Sequence, residues 1–177
     1  CHQQAYLTDD RFPYWIIYRN ETFDEVADKM EFNVFKAYRD RVITKAITKD
    51  NGKIRVLKSR NIGDNEIINI PDYDCYIDSI EGLDVAKYLN QANCVLLPNL
   101  TYNPRAFFLP KGCIADGSVA ILTLAKDDDI VTNEDLAFYA TDSFTKFYAI
   151  ARNLGTRSLN IDNNSVFFFG KLKQQRI

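Results

Sequence analysis

This chain has one histidine, one methionine and no closely spaced cysteine pair, and each scarcity removes a kind of chemistry. The histidine, His2, lies beside the N-terminus, which leaves little room for a Ser-His-Asp triad, a Cys-His dyad or a multi-histidine metal centre. The cysteines (Cys1, Cys75, Cys94 and Cys113) are far apart in sequence, with no C-x-x-C. That spacing favours free thiols packed as small apolar residues over a disulfide or a zinc site completed by His2. No G-x-G-x-x-G and no Walker A string occurs. No Asp/Glu-x-Lys triplet occurs either, so the common metal site of restriction nucleases has no counterpart. No apolar run approaches the ~18 residues of a membrane helix, and "CHQQAYLTDD" lacks a signal-peptide core. The only methionine is Met30 and the first residue is Cys1, which leads us to expect a domain of a larger protein.

What is present is a core. Among 177 residues, 46% are hydrophobic, with 12 Phe and 10 Tyr, enough to exclude disorder. The net charge of −2 argues at first sight against a nucleic-acid ligand, but the charge is blocked. Residues 36–60 hold nine basic side chains (Lys36, Arg39, Arg41, Lys45, Lys49, Lys53, Arg55, Lys58, Arg60) against Asp40 and Asp50. Residues 144–177 hold six basic and one acidic, and the stretches between are acidic. Two cationic segments folded onto one face would attract phosphate, while the remainder keeps its negative charge. A merely solvated basic face is the alternative.

Strand-type and helix-type patterns both occur, so the expectation is an α+β fold: a twisted mixed or mainly antiparallel sheet, or partial barrel, with flanking helices. Pro13–Asn20 reads as a strand. Thr22 and Glu25 form a capping-box pattern before a stripe of Phe23, Val26, Ala27 and Met30. Residues 32–48 are ambiguous between strand and loop. Asn51-Gly52 predicts a hairpin between Ile47 and "KIRVLKS". "EIINI", "CYID", "CVLLP", "RAFFLP", "SVAILTL" and "SVFFFGKL" read as strands, and "SVAILTL" as one buried on both faces. Leu83–Asn90 is a short helix. Thr132 and Asn133 cap a helix carrying Leu136, Tyr139 and Ala140. Asp142 or Ser143 caps the next, which presents Phe144, Phe147, Tyr148, Ala151 and Leu154 and ends at Gly155. Phe167–Phe169 are assigned to the core.

The strings "RVLKSRNIGDNEIINI", "CVLLPNLTYNPRAFFLPKGCIADGSVAILTL" and "ATDSFTKFYAIARNLGTRSLNI", in this order, carry a resemblance. They look like the target-recognition domain of type II adenine-specific DNA methyltransferases, including fused restriction–modification enzymes. They are similar, more distantly, to type I specificity subunits. The resemblance covers roughly residues 22–172, which implies a lead-in strand at 1–21, a DNA target-recognition domain at 22–172 and a connector at 173–177. It further implies a cytoplasmic bacterial or archaeal protein whose separate catalytic domain, in cis, binds S-adenosylmethionine and methylates a flipped adenine. This domain would hold double-stranded DNA and no cofactor. The Asp/Asn-Pro-Pro-Tyr/Phe tetrapeptide of such catalytic domains is missing; Asn103-Pro104-Arg105 lacks the second proline and the aromatic.

Candidate DNA-binding residues follow from residue chemistry. In "LKSRNI", Arg60 suits guanine and Asn61 adenine, while Lys58 and Ser59 suit phosphate. Asn99, Thr101, Tyr102, Asn103 and Arg105 occupy a polar, proline-punctuated loop between apolar strands. Lys111 sits in a turn. Arg152, Thr156, Arg157 and Ser158 surround a helix end; anion binding there must come from the arginines, since a helix C-terminus repels anions. Arg39, Arg41 and Lys45 complete the set, with Asp40 available as an ion-pair partner.

Two other classes compete. Asp72, Asp74 and Asp78 alternate at even spacing, so a strand would project them together as a nuclease metal site. Asp127-Asp128-Asp129 reads as a solvated loop rather than a metal site. A protein-interaction or structural domain is the third class, and scattered rather than merged cationic segments would mark it.

Overall fold

Two apolar strands that bury both faces organise the chain. A computed structural model describes residues 9–101, 103–126, 129–152, 154 and 159–173. Its strands are β1 (Met30–Glu31), β2 (Phe35–Tyr38), β3 (Ile54–Leu57), β4 (Cys75–Ile77), β5 (Val95–Pro98), β6 (Leu100–Thr101), β7 (Phe107–Phe108), β8 (Cys113–Ala115), β9 (Val119–Leu124), β10 (Leu159–Asn160) and β11 (Lys171–Leu172). The helices are α1 (Glu21–Lys29), α2 (Asn133–Tyr139), α3 (Asp142–Ala151) and α4 (Asn163–Val166), with 3-10 turns at Ser59–Asn61 and Asp84–Tyr88.

The main sheet is antiparallel in the order β2-β9-β5-β7. All four residues of β5 and the first four of β9 are buried. Because strand side chains alternate, each strand feeds two cores. Val95, Leu97, Ala120 and Leu122 face a phenylalanine-rich core shared with α1, α2 and α3. Leu96, Val119 and Ile121 face a second core built with Val56, Leu57, Ile114 and Ala115 of a three-stranded sheet ordered β4-β3-β8. The result is three layers: helices, the main sheet and the smaller sheet. In the smaller sheet β3 runs antiparallel to β4 and parallel to β8. Two further pairs, β1-β11 and β6-β10, each stand apart as two strands. The fold is thus α+β and mainly antiparallel, and none of its described sheets closes into a barrel.

The helices follow their sequence signals closely but not to the residue. The stripe Phe23, Val26, Ala27 and Met30 is buried. The α1 cap is Asn20, whose side chain accepts from the Phe23 N–H at 3.0 Å, rather than Thr22. Thr132 caps α2 in a reciprocal pair with Asp135. Thr141, not Asp142 or Ser143, caps α3. Phe144, Phe147, Tyr148, Phe168 and Phe169 are wholly buried, and Phe23 stacks on Phe147 at 4.7 Å. Leu154 is exposed and takes the left-handed conformation itself, with φ 53°. It therefore lies past the helix, and its N–H reaches the Ala149 carbonyl at 2.9 Å. Gly155 is outside the described residues.

Four strand expectations fail, for one shared reason: extended segments became strands only where a partner edge lay beside them. Residues 9–20 turn instead of forming a lead-in strand, with the Arg19 N–H bonded to the Ile16 carbonyl at 3.3 Å. Ile16 is buried between exposed Trp15 and Ile17, so the alternation is real but the ladder is not. The Asn51-Gly52 hairpin does not form, because Lys49 bridges to Tyr76 and β3 takes β4 and β8 as neighbours. "EIINI" contributes a single bridge, Ile62 to Ile67. In "SVFFFGKL", Ser165 and Val166 belong to α4, and only Lys171–Leu172 pairs, with β1. Leu83–Asn90 yields the 3-10 turn at Asp84–Tyr88 rather than an α-helix. Cys75, Cys94 and Cys113 are free thiols, and burial pushes the Cys94 and Cys113 thiols up from the ordinary value.

Gly170 lets the chain enter β11 against β1. A Cβ there would lie 2.1 Å from the Glu31 carbonyl oxygen, a backbone atom that cannot rotate away. Its own carbonyl accepts the buried Tyr139 hydroxyl. Gly170→Ala is expected to destabilise by about 1–3 kcal/mol, the usual cost of overpacking. A shift of the urea midpoint at unchanged slope tests this.

Candidate nucleic-acid interface

The strand registers alone bring three of the polar segments to one end of the sheets. Tyr38, at the end of β2, pairs with Ile121 near the start of β9. Pro98, at the end of β5, pairs with Val119. Leu57, at the end of β3, pairs with Ala115, at the end of β8. Segments 39–45, 58–61 and 99–105 therefore leave the layers at the same edge, around the Gly117-Ser118 turn that joins β8 to β9.

Direct contacts tie them together there. The Ser118 carbonyl accepts the Asn99 N–H at 2.8 Å and also the Ser59 hydroxyl. The Ser118 hydroxyl accepts the Ser59 N–H at 3.0 Å and donates to Asp116 at 2.5 Å. The Arg39 guanidinium donates to the Asn99 side chain and to the Ile161 carbonyl. Arg105 Nε donates to the Ile62 carbonyl at 2.6 Å, two residues along from Arg60. Gly117 is required at the turn, since a Cβ would stand 2.5 Å from the Asp40 carbonyl oxygen.

A second knot lies behind segment 58–61. Asn61 is 0% exposed. Its Oδ1 accepts the Lys58 N–H at 2.9 Å, and its Nδ2 donates to the Ile68 carbonyl at 3.0 Å and to Asp74 at 2.6 Å. The other Asp74 oxygen takes Arg55 at 2.8 Å and the Ile70 N–H at 3.2 Å. Arg55 also donates to Asn69 at 2.6 Å and the Ile68 carbonyl at 3.1 Å. This holds the 68–74 loop against the end of β3. Tyr73, on that loop, receives two cations: Lys58 Nζ lies 3.9 Å from its ring centroid and the Arg60 guanidinium 4.8 Å. Lys58 Nζ donates to the Tyr73 carbonyl as well.

The residues chosen from sequence thus divide. Arg60, Arg41 and Asn103 are exposed at the shared end with Arg105 half-buried beside them, and Lys45 is exposed farther along the 39–45 segment. Asn61, expected to read adenine, is a correction: it has no exposed surface and its amide bonds within the protein. Arg39 and Asn99 are half-buried, with Arg39 Nη2 donating to Asn99 Oδ1 and to the Ile161 carbonyl. Ser59 and Lys58 are half-buried and likewise committed to Ser118 and Tyr73. Asp40 pairs with no arginine among the described residues; its carboxylate accepts the N–H groups of Val42 and Ile43 at 2.8 and 2.6 Å and the Tyr38 hydroxyl at 3.1 Å. Lys111 is exposed but stands beyond the start of β8, next to Arg55, at the opposite end of β3 from Ser59. Four residues of strand, about 13 Å, separate the two ends. Arg152 is half-buried, 3.4 Å from the Tyr14 hydroxyl and 3.5 Å from Asp162. Thr101 lies in β6, while Tyr102, Thr156, Arg157 and Ser158 lie outside the described residues.

The nuclease alternative loses its geometry. Only Cys75–Ile77 is strand, Asp72 sits in a turn with φ 62°, Asp74 is held by Arg55 and Asn61, and Asp78 pairs with Lys49 at 2.5 Å. Among the described residues no three His, Cys, Asp or Glu side chains gather into a metal-holding group. Tyr73 and Ser118 are the contributors that sequence reading missed, and Asp74, expected as a metal ligand, instead anchors Arg55 and Asn61. The nearest signal is the density of aspartate and tyrosine in "PDYDCYID", in which the sequence shows only a strand and spaced carboxylates.

No family model matches the sequence, and no curated protein is significantly similar to it.

Two predictions follow from these contacts. Asn61→Ala leaves buried partners unsatisfied and is expected to destabilise by at least about 2 kcal/mol, whereas Arg60→Ala stays within about 0.5 kcal/mol; urea unfolding of both variants separates a structural asparagine from a surface arginine. Asp162 is pushed up by burial, but the Ser165 hydroxyl and N–H, at 2.6 and 2.7 Å, and Arg152 win and hold its carboxyl below 3.8. A depressed folded value stabilises above the unfolded pKa and is lost as pH falls through the folded one. Asp162→Asn should therefore lower the urea midpoint at neutral pH, with the gap to wild type closing below about pH 4.

Proposed function

We propose that this chain is a sequence-specific double-stranded-DNA recognition domain, non-catalytic by itself, of a restriction–modification adenine methyltransferase. The observation that carries the reading is the convergence of the 39–45, 58–61 and 99–105 segments at one end of rigid sheets. That end presents Arg41, Arg60, Asn103 and Arg105, with Lys45 farther along the 39–45 segment, on short loops anchored by buried strands, an arrangement suited to holding side chains still against base edges. Arg60 and Arg105 take the base-reading roles, as planar donors able to make paired contacts to guanine. Arg41 and Lys45 take phosphate. Lys111, at the far end of β3, stands apart from this set. The motif order in the sequence supports the partner assignment: an S-adenosylmethionine-binding catalytic domain in cis that methylates a flipped adenine. No helix among the described residues is long and apolar enough to cross a membrane, which is compatible with this setting.

Selection from a pool of randomised duplexes with the purified chain at low salt tests the reading. An enriched sequence is expected, with binding that weakens as salt rises because phosphate contacts release counterions. Arg60→Ala and Arg105→Ala should each flatten preference at one position by about 1–3 kcal/mol, while Lys45→Ala should weaken all duplexes alike and reduce the salt dependence. Absence of any enriched sequence would overturn the proposal.

A further inference from the structure

We infer that Tyr73 is a specificity-determining positioning residue: its ring holds the Arg60 guanidinium in the plane needed to read a guanine. The inference rests on the DNA-recognition reading above and adds a residue to it. A free arginine on a surface samples many rotamers, and fixing it costs free energy at the moment of binding. An aromatic face within about 6 Å attracts a guanidinium and restricts it, and Arg in particular stacks. The Arg60 guanidinium carbon lies 4.8 Å from the Tyr73 centroid, and the residue remains exposed. The guanidinium carbon thus sits over the ring, while the N–H donors point outward within the guanidinium's own plane.

The ring itself is held from behind. The Tyr73 N–H bonds to the Ile70 carbonyl at 3.1 Å, and its neighbour Asp74 is gripped by Arg55, Asn61 and the Ile70 N–H. Asn61 links the same knot to the 58–61 turn that carries Arg60. Ring and arginine are therefore tied to one another through two routes, the cation–ring contact and the Asn61–Asp74 bridge. Lys58 adds a second cation 3.9 Å from the same centroid. Two like charges repel, so the ring and the Tyr73 carbonyl keep Lys58 in place, and the pair sharpens a positive spot that an acceptor edge would neutralise. Guanine, with its O6 and N7 acceptors side by side, fits a planar donor held this way.

Tyr73→Phe keeps the ring and Tyr73→Leu removes it, and three readouts divide the outcomes. In duplex selection, Tyr73→Leu should flatten preference for a guanine at the position that Arg60→Ala flattens, with Tyr73→Phe like wild type and the Tyr73→Leu/Arg60→Ala double variant no worse than Arg60→Ala alone. In the free protein, nitrogen relaxation of the Arg60 side-chain Nε–H should show order in wild type and Tyr73→Phe, lost in Tyr73→Leu. Urea unfolding registers any general loss of stability. An unchanged selection profile in Tyr73→Leu, or an Arg60 side chain as mobile in wild type as in Tyr73→Leu, overturns the inference while DNA recognition stands. A wild-type chain that enriches nothing while Arg60 is ordered overturns the DNA reading, and the specificity role falls with it.

Discussion

The pairing of β5 with β9 is the constraint on which the molecule rests. Both strands are apolar on both faces, so neither can sit at a surface, and each must be covered twice. Helices α1 to α3 supply one cover and the β4-β3-β8 sheet the other. Everything at the candidate interface depends on that double cover. The loops that carry polar side chains are continuations of the covered strands, and their positions are set by the register of β2, β5 and β9 and of β3 with β8.

Polar groups at the strand ends divide between holding and presenting. Ser118, Asn99 and Arg39 staple the loops to one another, and Asn61 and Asp74 do the same for the 58–74 region. A fully buried amide with both N–H donors already used cannot reach a base. Exposed Arg60, by contrast, has a ring behind it and solvent before it. The same short string, Lys58 to Asn61, therefore contains a cation on a ring, a staple, a presented guanidinium and a buried lock. Rigid loops of this kind lower the ordering cost of recognition, which is the physical benefit of spending so many polar groups internally.

Charge is distributed in the same spirit. Of the cationic block at 36–60, Arg55 and Lys49 are neutralised by Asp74 and Asp78, and Arg39 is absorbed in neutral hydrogen bonds. Lys36, Arg41, Lys45, Lys53 and Arg60 remain exposed. The acidic segment 61–100 thus acts partly as internal counter-charge for its neighbour. A count of charges along the chain overstates the field available to a phosphate backbone.

Local chemistry alone determined the class of fold, the three longer helices α1 to α3 and the central strands. Apolar periodicity, side-chain caps and uninterrupted runs such as "VLLP" and "VAIL" act within a few residues, and they survived in the tertiary structure with shifts of a residue or two. The convergence of segments around residues 39, 60 and 105 follows from strand register, which acts over long stretches of chain. Tertiary structure decided what no local pattern encodes: which extended segments found a partner edge, why Asn51-Gly52 makes no hairpin, and which polar residues turn inward. Asn61 and Arg60 are adjacent and equally polar, yet one is buried and one presented, because the 68–74 loop packs against one side of their turn and leaves the other open.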